Sequence, residues 1–142
     1  MPNNLHKGKK RIKGTFLLVP HVIFHSNSYP ELSYSAAKML FDIASQYNGQ
    51  NNGNLAACKT LLEPLGWKSG TTIRKAVSEL VHFGFIELTK QGGLGIGPNL
   101  YAITWQKIDQ CLNKSGRPIH DAQPTKTPSN LWKLKPTHKE AA

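Results

Sequence analysis

The residues that decide the fold are 69–105, which read SGTTIRKAVSELVHFGFIELTKQGGLGIGPNLYAITW. Apolar residues recur there at the three- and four-residue spacings of one helix face, at Ile73, Val77 and Leu80. Ser69 precedes this pattern and can accept a free backbone amide of the first turn. Gly84 suits the left-handed residue that ends a helix. The stretch therefore predicts one amphipathic helix from Ser69 to Phe83.

Two β-rich runs follow this helix, Phe85–Thr89 and Leu100–Trp105. Four glycines and a proline lie between them, in residues 90–99, and they exclude a regular element there. The simplest structure is a β-hairpin with a long loop. A phosphate-binding loop is the alternative for such a segment, but no Gly-Lys-Ser/Thr follows and the next element is a predicted strand.

The polar side of the helix carries hydroxyl groups and cations close to the helix start. Such groups contact phosphates and base edges when a helix N-terminus enters a major groove. A solvated helix face is the alternative, because many amphipathic helices bind nothing through their polar side. The candidate DNA contacts of the helix and its entry turn are Lys68, Ser69, Thr71, Thr72, Arg74, Lys75 and Ser78. Those expected nearest the bases are Thr71, Thr72 and Lys75.

Several of these residues belong to a pattern that resembles a known family, the winged helix–turn–helix core of bacterial regulators and replication proteins. The pattern is Gly66-Trp67, Ser69, Thr72, Glu79-Leu80 and Gly84-Phe85-Ile86. Upstream segments are similar to small helix–turn–helix proteins of phages, plasmids and integrated elements, namely Phe16–Pro20, the helix after Leu32-Ser33, and Tyr47–Gly53. The resemblance covers roughly residues 14–109. It implies that the hairpin is a β-wing, with Lys90 and Gln91 as its polar DNA contacts.

The expected fold is α+β and mainly α: a winged helix–turn–helix with a two- to three-stranded β-wing and disordered basic tails. Ser33 can cap a scaffold helix through Ser45. A short strand at Asn54-Leu55 can pair with the wing, and Ala56–Leu62 is the expected positioning helix. Pro64 departs from the family pattern, because it removes an amide donor and disfavours helical geometry before it.

The net charge of +10 and the pI near 9.8 favour acidic partners, of which nucleic acid is the commonest. The charge is concentrated in the expected N-terminal arm (residues 1–14) and the expected disordered tail (residues 110–142), which flank a nearly neutral domain (residues 15–109). A basic arm can add salt-sensitive affinity along phosphates or in a minor groove. A solvated disordered tail is the alternative. The arm contacts are Lys9, Lys10 and Arg11.

Other classes of function lack support in the sequence. Acids are few and scattered, with no nucleophile motif, so we expect neither an enzyme nor a cofactor. His21 and His25 have a zinc-compatible spacing but no nearby Glu or Cys, so no metal is expected. No apolar run is long enough to span a bilayer, and no signal core follows the basic start. Cys58 and Cys111 are expected to be reduced thiols, and the expected location is the bacterial cytoplasm, with the nucleoid.

The sequence therefore predicts a protein that binds double-stranded DNA, as a transcription regulator or a replication-initiation factor of a mobile element. A winged-helix module for protein–protein contact without DNA binding is the alternative, since fold alone does not fix function. The oligomeric state is open, a homodimer included. The apolar segment Leu131–Leu134 in the basic tail is either a docking peptide for a protein partner or a chance cluster.

Overall fold

A computed structural model describes residues 13–134 of the chain. Within this range the fold is α+β, with four α-helices and one three-stranded antiparallel sheet. The helices are α1 (His21–Phe24), α2 (Tyr34–Ala44), α3 (Lys59–Leu62) and α4 (Gly70–His82). The strands are β1 (Leu55–Ala56), β2 (Ile86–Lys90) and β3 (Leu100–Ile103). In the part of the chain so described, no helix combines the length and the hydropathy needed to cross a bilayer.

Helices α2 and α4 pack against each other and contribute much of the core. Both predicted N-caps are present: the Ser33 hydroxyl accepts from the Ala36 amide and the Ser69 hydroxyl from the Thr72 amide. The predicted stop is also present, since Gly84 has a φ of +78°. The Gly84 amide donates to the Val81 carbonyl and the Phe85 amide to the Leu80 carbonyl, which is the hydrogen-bond pattern of a glycine-ended helix.

The sheet has the order β1-β3-β2, so the short strand predicted at Asn54-Leu55 does pair with the hairpin, at Leu55–Ala56. Leu55 lies opposite Tyr101, and Ile86 lies opposite Ile103. A bulge interrupts the β2–β3 register at Thr89. We refer to residues 91–99, which connect β2 to β3, as the hairpin loop.

The third helix is shorter than the sequence predicted. Ala56 belongs to a strand and Cys58 is the N-cap, so α3 begins only at Lys59. Beyond Leu62 the chain continues as a 3-10 turn, Glu63–Leu65, which contains Pro64. Because proline has no amide hydrogen, it cannot extend the α-helical hydrogen bonding of the turn before it. The expected positioning element is thus one α-helical turn followed by one 3-10 turn.

The expected disordered tail differs from the structure over residues 110–134. This part of the chain lies against the domain, with Cys111, His120 and Trp132 all buried. It contains one 3-10 turn, Leu131–Lys133, and one isolated β-bridge between Leu112 and Pro118, and is otherwise irregular. This segment has no apolar periodicity from which its packing could have been predicted. Hydrogen bonds to the domain backbone hold it in place, such as the bond of the Asn130 amide to the Thr104 carbonyl.

Candidate nucleic-acid interface

Helix α4 turns its apolar side inward and its hydroxyl groups and cations outward. The buried side chains include Ile73, Ala76, Val77 and Leu80. The outward face, which we call the polar stripe, consists of Thr71, Thr72, Arg74, Lys75 and Ser78, and all five are exposed. Lys68 and Ser69 in the entry turn are exposed as well. All seven contact residues predicted in this stretch therefore lie together on one accessible face.

The single acidic residue in the sequence of α4 does not lie on that face. Glu79 is only 5% exposed and points toward α2. One carboxylate oxygen accepts from the Ser33 amide at 2.6 Å and the other from the Ser33 hydroxyl at 2.9 Å. The carboxylate thus satisfies the N-terminal end of α2, whereas Arg74 and Lys75 remain exposed on the polar stripe.

Sequence reasoning missed this role of Glu79, although a signal was present. Glu79 follows Ala76 by three residues and precedes Phe83 by four. These spacings place its side chain on the same side of the helix as two buried residues. An acid at such a position needs an internal hydrogen-bond partner, and the donors of an N-cap are a suitable one.

The hairpin loop lies beside the polar stripe. A groove of about 430 Å³ separates them; its lining includes Arg74 and Ser78 from α4 and Pro98 and Asn99 from the loop. Its floor is apolar, formed by Ile73, Val77, Val81, Leu88 and Tyr101. Of the predicted wing contacts, Lys90 is half-buried and Gln91 is exposed. The structure therefore brings Gln91 and Lys90 to the base of the loop that flanks α4.

A second groove, of about 410 Å³, lies at the N-terminal end of α4, where the entry turn meets α2. Lys38 in this groove is engaged within the protein, by Asp42 at 2.7 Å and by the Leu65 carbonyl at 2.8 Å. Exposed hydroxyl groups and Lys68 form the rest of its polar lining. Two of its residues, Tyr34 and Ser35, were assigned by sequence only to a scaffold helix. Their position at the first turn of a helix beside a cationic turn is the signal that could have found them.

Trp67 holds this end of the interface in place. It is 6% exposed and belongs to the hydrophobic core. Its indole Nε1 donates to Asp42 at 2.7 Å, and the Lys38 ammonium lies 5.1 Å from its ring centroid. This contact joins the turn before α4 to α2, so the start of the polar stripe is fixed relative to the scaffold.

The histidines and cysteines singled out by the sequence lie apart from the polar stripe in the sequence. His21 and His25 stack with ring centroids 6.2 Å apart. No group of three His, Cys, Asp or Glu side chains within residues 13–134 has the arrangement of a metal site. Cys58 and Cys111 are both free thiols. Burial raises the pKa of the Cys111 thiol, and the negative charge of Asp109 raises this pKa further.

Two predicted contact regions remain to be placed. The arm residues Lys9, Lys10 and Arg11 lie outside the described residues. Leu131–Leu134, the candidate docking peptide, divides between the core and the surface: Trp132 is 9% exposed and joins the hydrophobic core, whereas Leu134 is 77% exposed. Trp132, the largest apolar group of this peptide, is thus occupied within its own domain.

Comparison with known proteins gives no relative. No protein-family model, no curated protein and no solved structure matches the chain.

Proposed function

We propose that this chain is a winged helix–turn–helix protein that binds double-stranded DNA, with α4 in the major groove and the hairpin loop as its wing. The exposed polar stripe carries this proposal. It holds two cations and three hydroxyl groups on one helix face, and an α-helix matches the roughly 12 Å width of a major groove. In this arrangement Thr71, Thr72 and Lys75 read base edges, and Arg74 and Ser78 face phosphates.

The surroundings of α4 support the same assignment. The sequence from Gly66 to Ser78 includes Lys68, Arg74 and Lys75 and no acid, so it presents only positive charge to a polyanion. Such a surface gives affinity for the phosphate backbone, and groups at the base edges add the sequence preference. The basic residues before position 14 add a further salt-dependent contribution to affinity.

The biological role is also a proposal, and it is based on the family resemblance. A small domain of this kind serves a mobile element as a transcription regulator or as a replication-initiation factor. A palindromic target selected from a random pool indicates a symmetric dimer, and a repeated target indicates binding at a replication origin.

The proposal is tested by alanine substitution in the polar stripe. Thr72→Ala and Lys75→Ala are measured by fluorescence anisotropy on the selected site and on random duplex. A lost base contact lowers affinity for the selected site by about 1–3 kcal/mol and leaves random-duplex binding nearly unchanged. A lost phosphate contact weakens both and reduces the salt slope by about one. We expect the first result for Thr72 and a mixture for Lys75.

Lys114→Ala is the matched control, because it removes one exposed cation far along the chain from α4. It is expected to change affinity for either duplex less than Lys75→Ala does. If both stripe variants bind like the parent, α4 is not the DNA-reading helix. If the parent itself binds no duplex at low salt, the alternative of a protein–protein interaction module takes its place.

A further inference from the structure

The tip of the hairpin loop presents two large apolar side chains to solvent. Leu94 is fully exposed at 104%, and Ile96 is 61% exposed. The loop sequence from Gln91 to Asn99 contains no charged residue. No side-chain charge within the loop therefore attracts phosphates. Its tip instead presents the uncharged side chains of Leu94 and Ile96.

This tip is a defined turn. The Gly93 amide donates to the Gly97 carbonyl at 3.0 Å, and the Gly97 and Ile96 amides donate back to the Gly93 carbonyl at 3.2 and 3.1 Å. At the base of the turn the Gly92 amide donates to the Asn99 side chain at 2.6 Å. A side chain at Gly92 is excluded, because a Cβ there would lie 2.4 Å from the Gly97 carbonyl oxygen.

The position of the turn relative to α4 decides what it can contact. Pro98 and Asn99, which lead out of the turn, line the same groove as Arg74 and Ser78 of the polar stripe. A duplex that receives α4 in its major groove presents the adjacent backbone and minor groove to this side of the helix. Apolar side chains that enter a minor groove insert between base steps, partly unstack them and kink the duplex by about 20–90°.

We propose that Leu94 acts as an apolar wedge that enters the minor groove beside the site bound by α4 and kinks the DNA. The inference rests on the proposed function and adds how the wing recognises its target. The wedge favours sites that have a flexible pyrimidine–purine step, TA or CA/TG, at the wing position. Specificity at that step then comes from the deformability of the duplex, without a hydrogen bond to its base edges.

The wedge is tested on the selected duplex, labelled at both ends for energy transfer and carrying 2-aminopurine at the wing position. Binding of the parent chain is expected to shorten the end-to-end distance and to raise 2-aminopurine fluorescence as the base unstacks. Leu94→Ser is expected to lose both signals, and Leu94→Met to retain them. Affinity should fall by less than about tenfold, because the lost contact is offset by the bending energy no longer required.

Leu134→Ser is the matched control, since it replaces another highly exposed leucine, at 77%, in a different part of the molecule. It should behave as the parent in all three measurements. A parent chain that binds the duplex without either signal overturns the wedge and leaves the proposed function intact. A parent chain that binds no duplex overturns both. Leu94→Ser could instead alter the sedimentation of the free protein while the bend persists. In that case the tip of the hairpin loop contacts a second copy of the chain, and the proposed wedge is wrong.

Discussion

The polar stripe of α4 and the C-terminal segment (residues 107–134) are both rich in polar side chains, and they use them in opposite ways. The polar side chains of the stripe make few contacts within the domain; the bond from Arg74 to the Thr71 hydroxyl at 3.3 Å stays inside the helix. In the C-terminal segment, hydrogen bonds to the domain replace regular structure. The Asp109 carboxylate accepts from the Asn52 backbone amide at 2.9 Å, and the Asp121 amide donates to the Thr89 carbonyl at 2.9 Å.

This contrast shows which polar surface is free to bind a ligand. Helix α4 satisfies its own backbone and is anchored by apolar contacts, so its outer side chains remain available. The irregular C-terminal segment has no regular hydrogen bonding within its own backbone, so its backbone groups must be satisfied by specific partners. The hydrogen-bonded polar residues of the C-terminal segment therefore contribute to the stability of the fold. Substitutions in the two regions should therefore separate loss of folding from loss of the proposed DNA binding.

The largest effect on stability is expected at Asn52, which is fully buried behind the hairpin. Its side chain accepts from the Ile103 amide and donates to the Ile103, Gln106 and Lys107 carbonyls. Asn52→Ala orphans at least the two buried Ile103 groups at about 1–3 kcal/mol each. We expect a loss of about 4 kcal/mol in the free energy of unfolding, measured by urea denaturation.

Asn27→Ala provides the control for this substitution, because Asn27 is exposed in a turn before α2. It should change the unfolding free energy by less than about 0.5 kcal/mol. A similarly small effect at Asn52 would mean that the C-terminal segment does not depend on this asparagine, and the contrast between the two regions would fail.

A smaller loss is expected at Trp132, near the end of the C-terminal segment. Its ring is 9% exposed and belongs to the hydrophobic core. Trp132→Ala should lower the unfolding free energy by about 2–3 kcal/mol, slightly less than for a tryptophan deep in a core. Leu134→Ala removes an exposed neighbour and should have almost no effect. If Trp132→Ala is equally silent, the segment behaves as the detached tail that its composition suggests.

The local elements near α4 were predictable because each depends on signals within a few residues. The 3.6-residue period gave the helix, Ser69 and Gly84 gave its ends, and the glycine-rich loop gave the hairpin. All seven candidate residues from Lys68 to Ser78 lie on the exposed face because the same period that buries Ile73 and Leu80 turns the intervening residues outward.

The C-terminal segment was not predictable from local signals, because its contacts join residues distant in sequence. Asn52 meets Lys107 across 55 positions, and Ser129 donates to Glu87 across 42. Its proline and lysine content is typical of disorder, and no periodicity identifies the groups that satisfy its backbone. The apolar Trp132 was visible in the sequence, but a single tryptophan does not reveal whether its own domain or a partner buries it.

The smallest effect on stability is expected at Glu79, which lies at the boundary between the buried and the exposed sides of α4. Glu79→Gln keeps the side-chain volume but presents an amide donor to one of the two Ser33 donors that the carboxylate now satisfies. We expect a loss of about 1 kcal/mol in stability and faster hydrogen exchange at the Ala36 amide, which the Ser33 hydroxyl caps.

The DNA affinity of this variant tests the orientation of the helix. Glu79 follows Lys75 by one helical turn, so their Cβ atoms lie about 5–6 Å apart, but the Glu79 carboxylate is buried and bonded to Ser33 at the start of α2. The carboxylate is therefore turned away from a duplex bound at the polar stripe. Neutralising it should raise affinity by no more than about twofold. Glu63→Gln makes the same charge change at an exposed position on the 3-10 turn and should leave stability within about 0.5 kcal/mol of the parent. If Glu79→Gln raises affinity tenfold or more, the carboxylate reaches the bound duplex, and its assignment to the buried side of α4 is wrong.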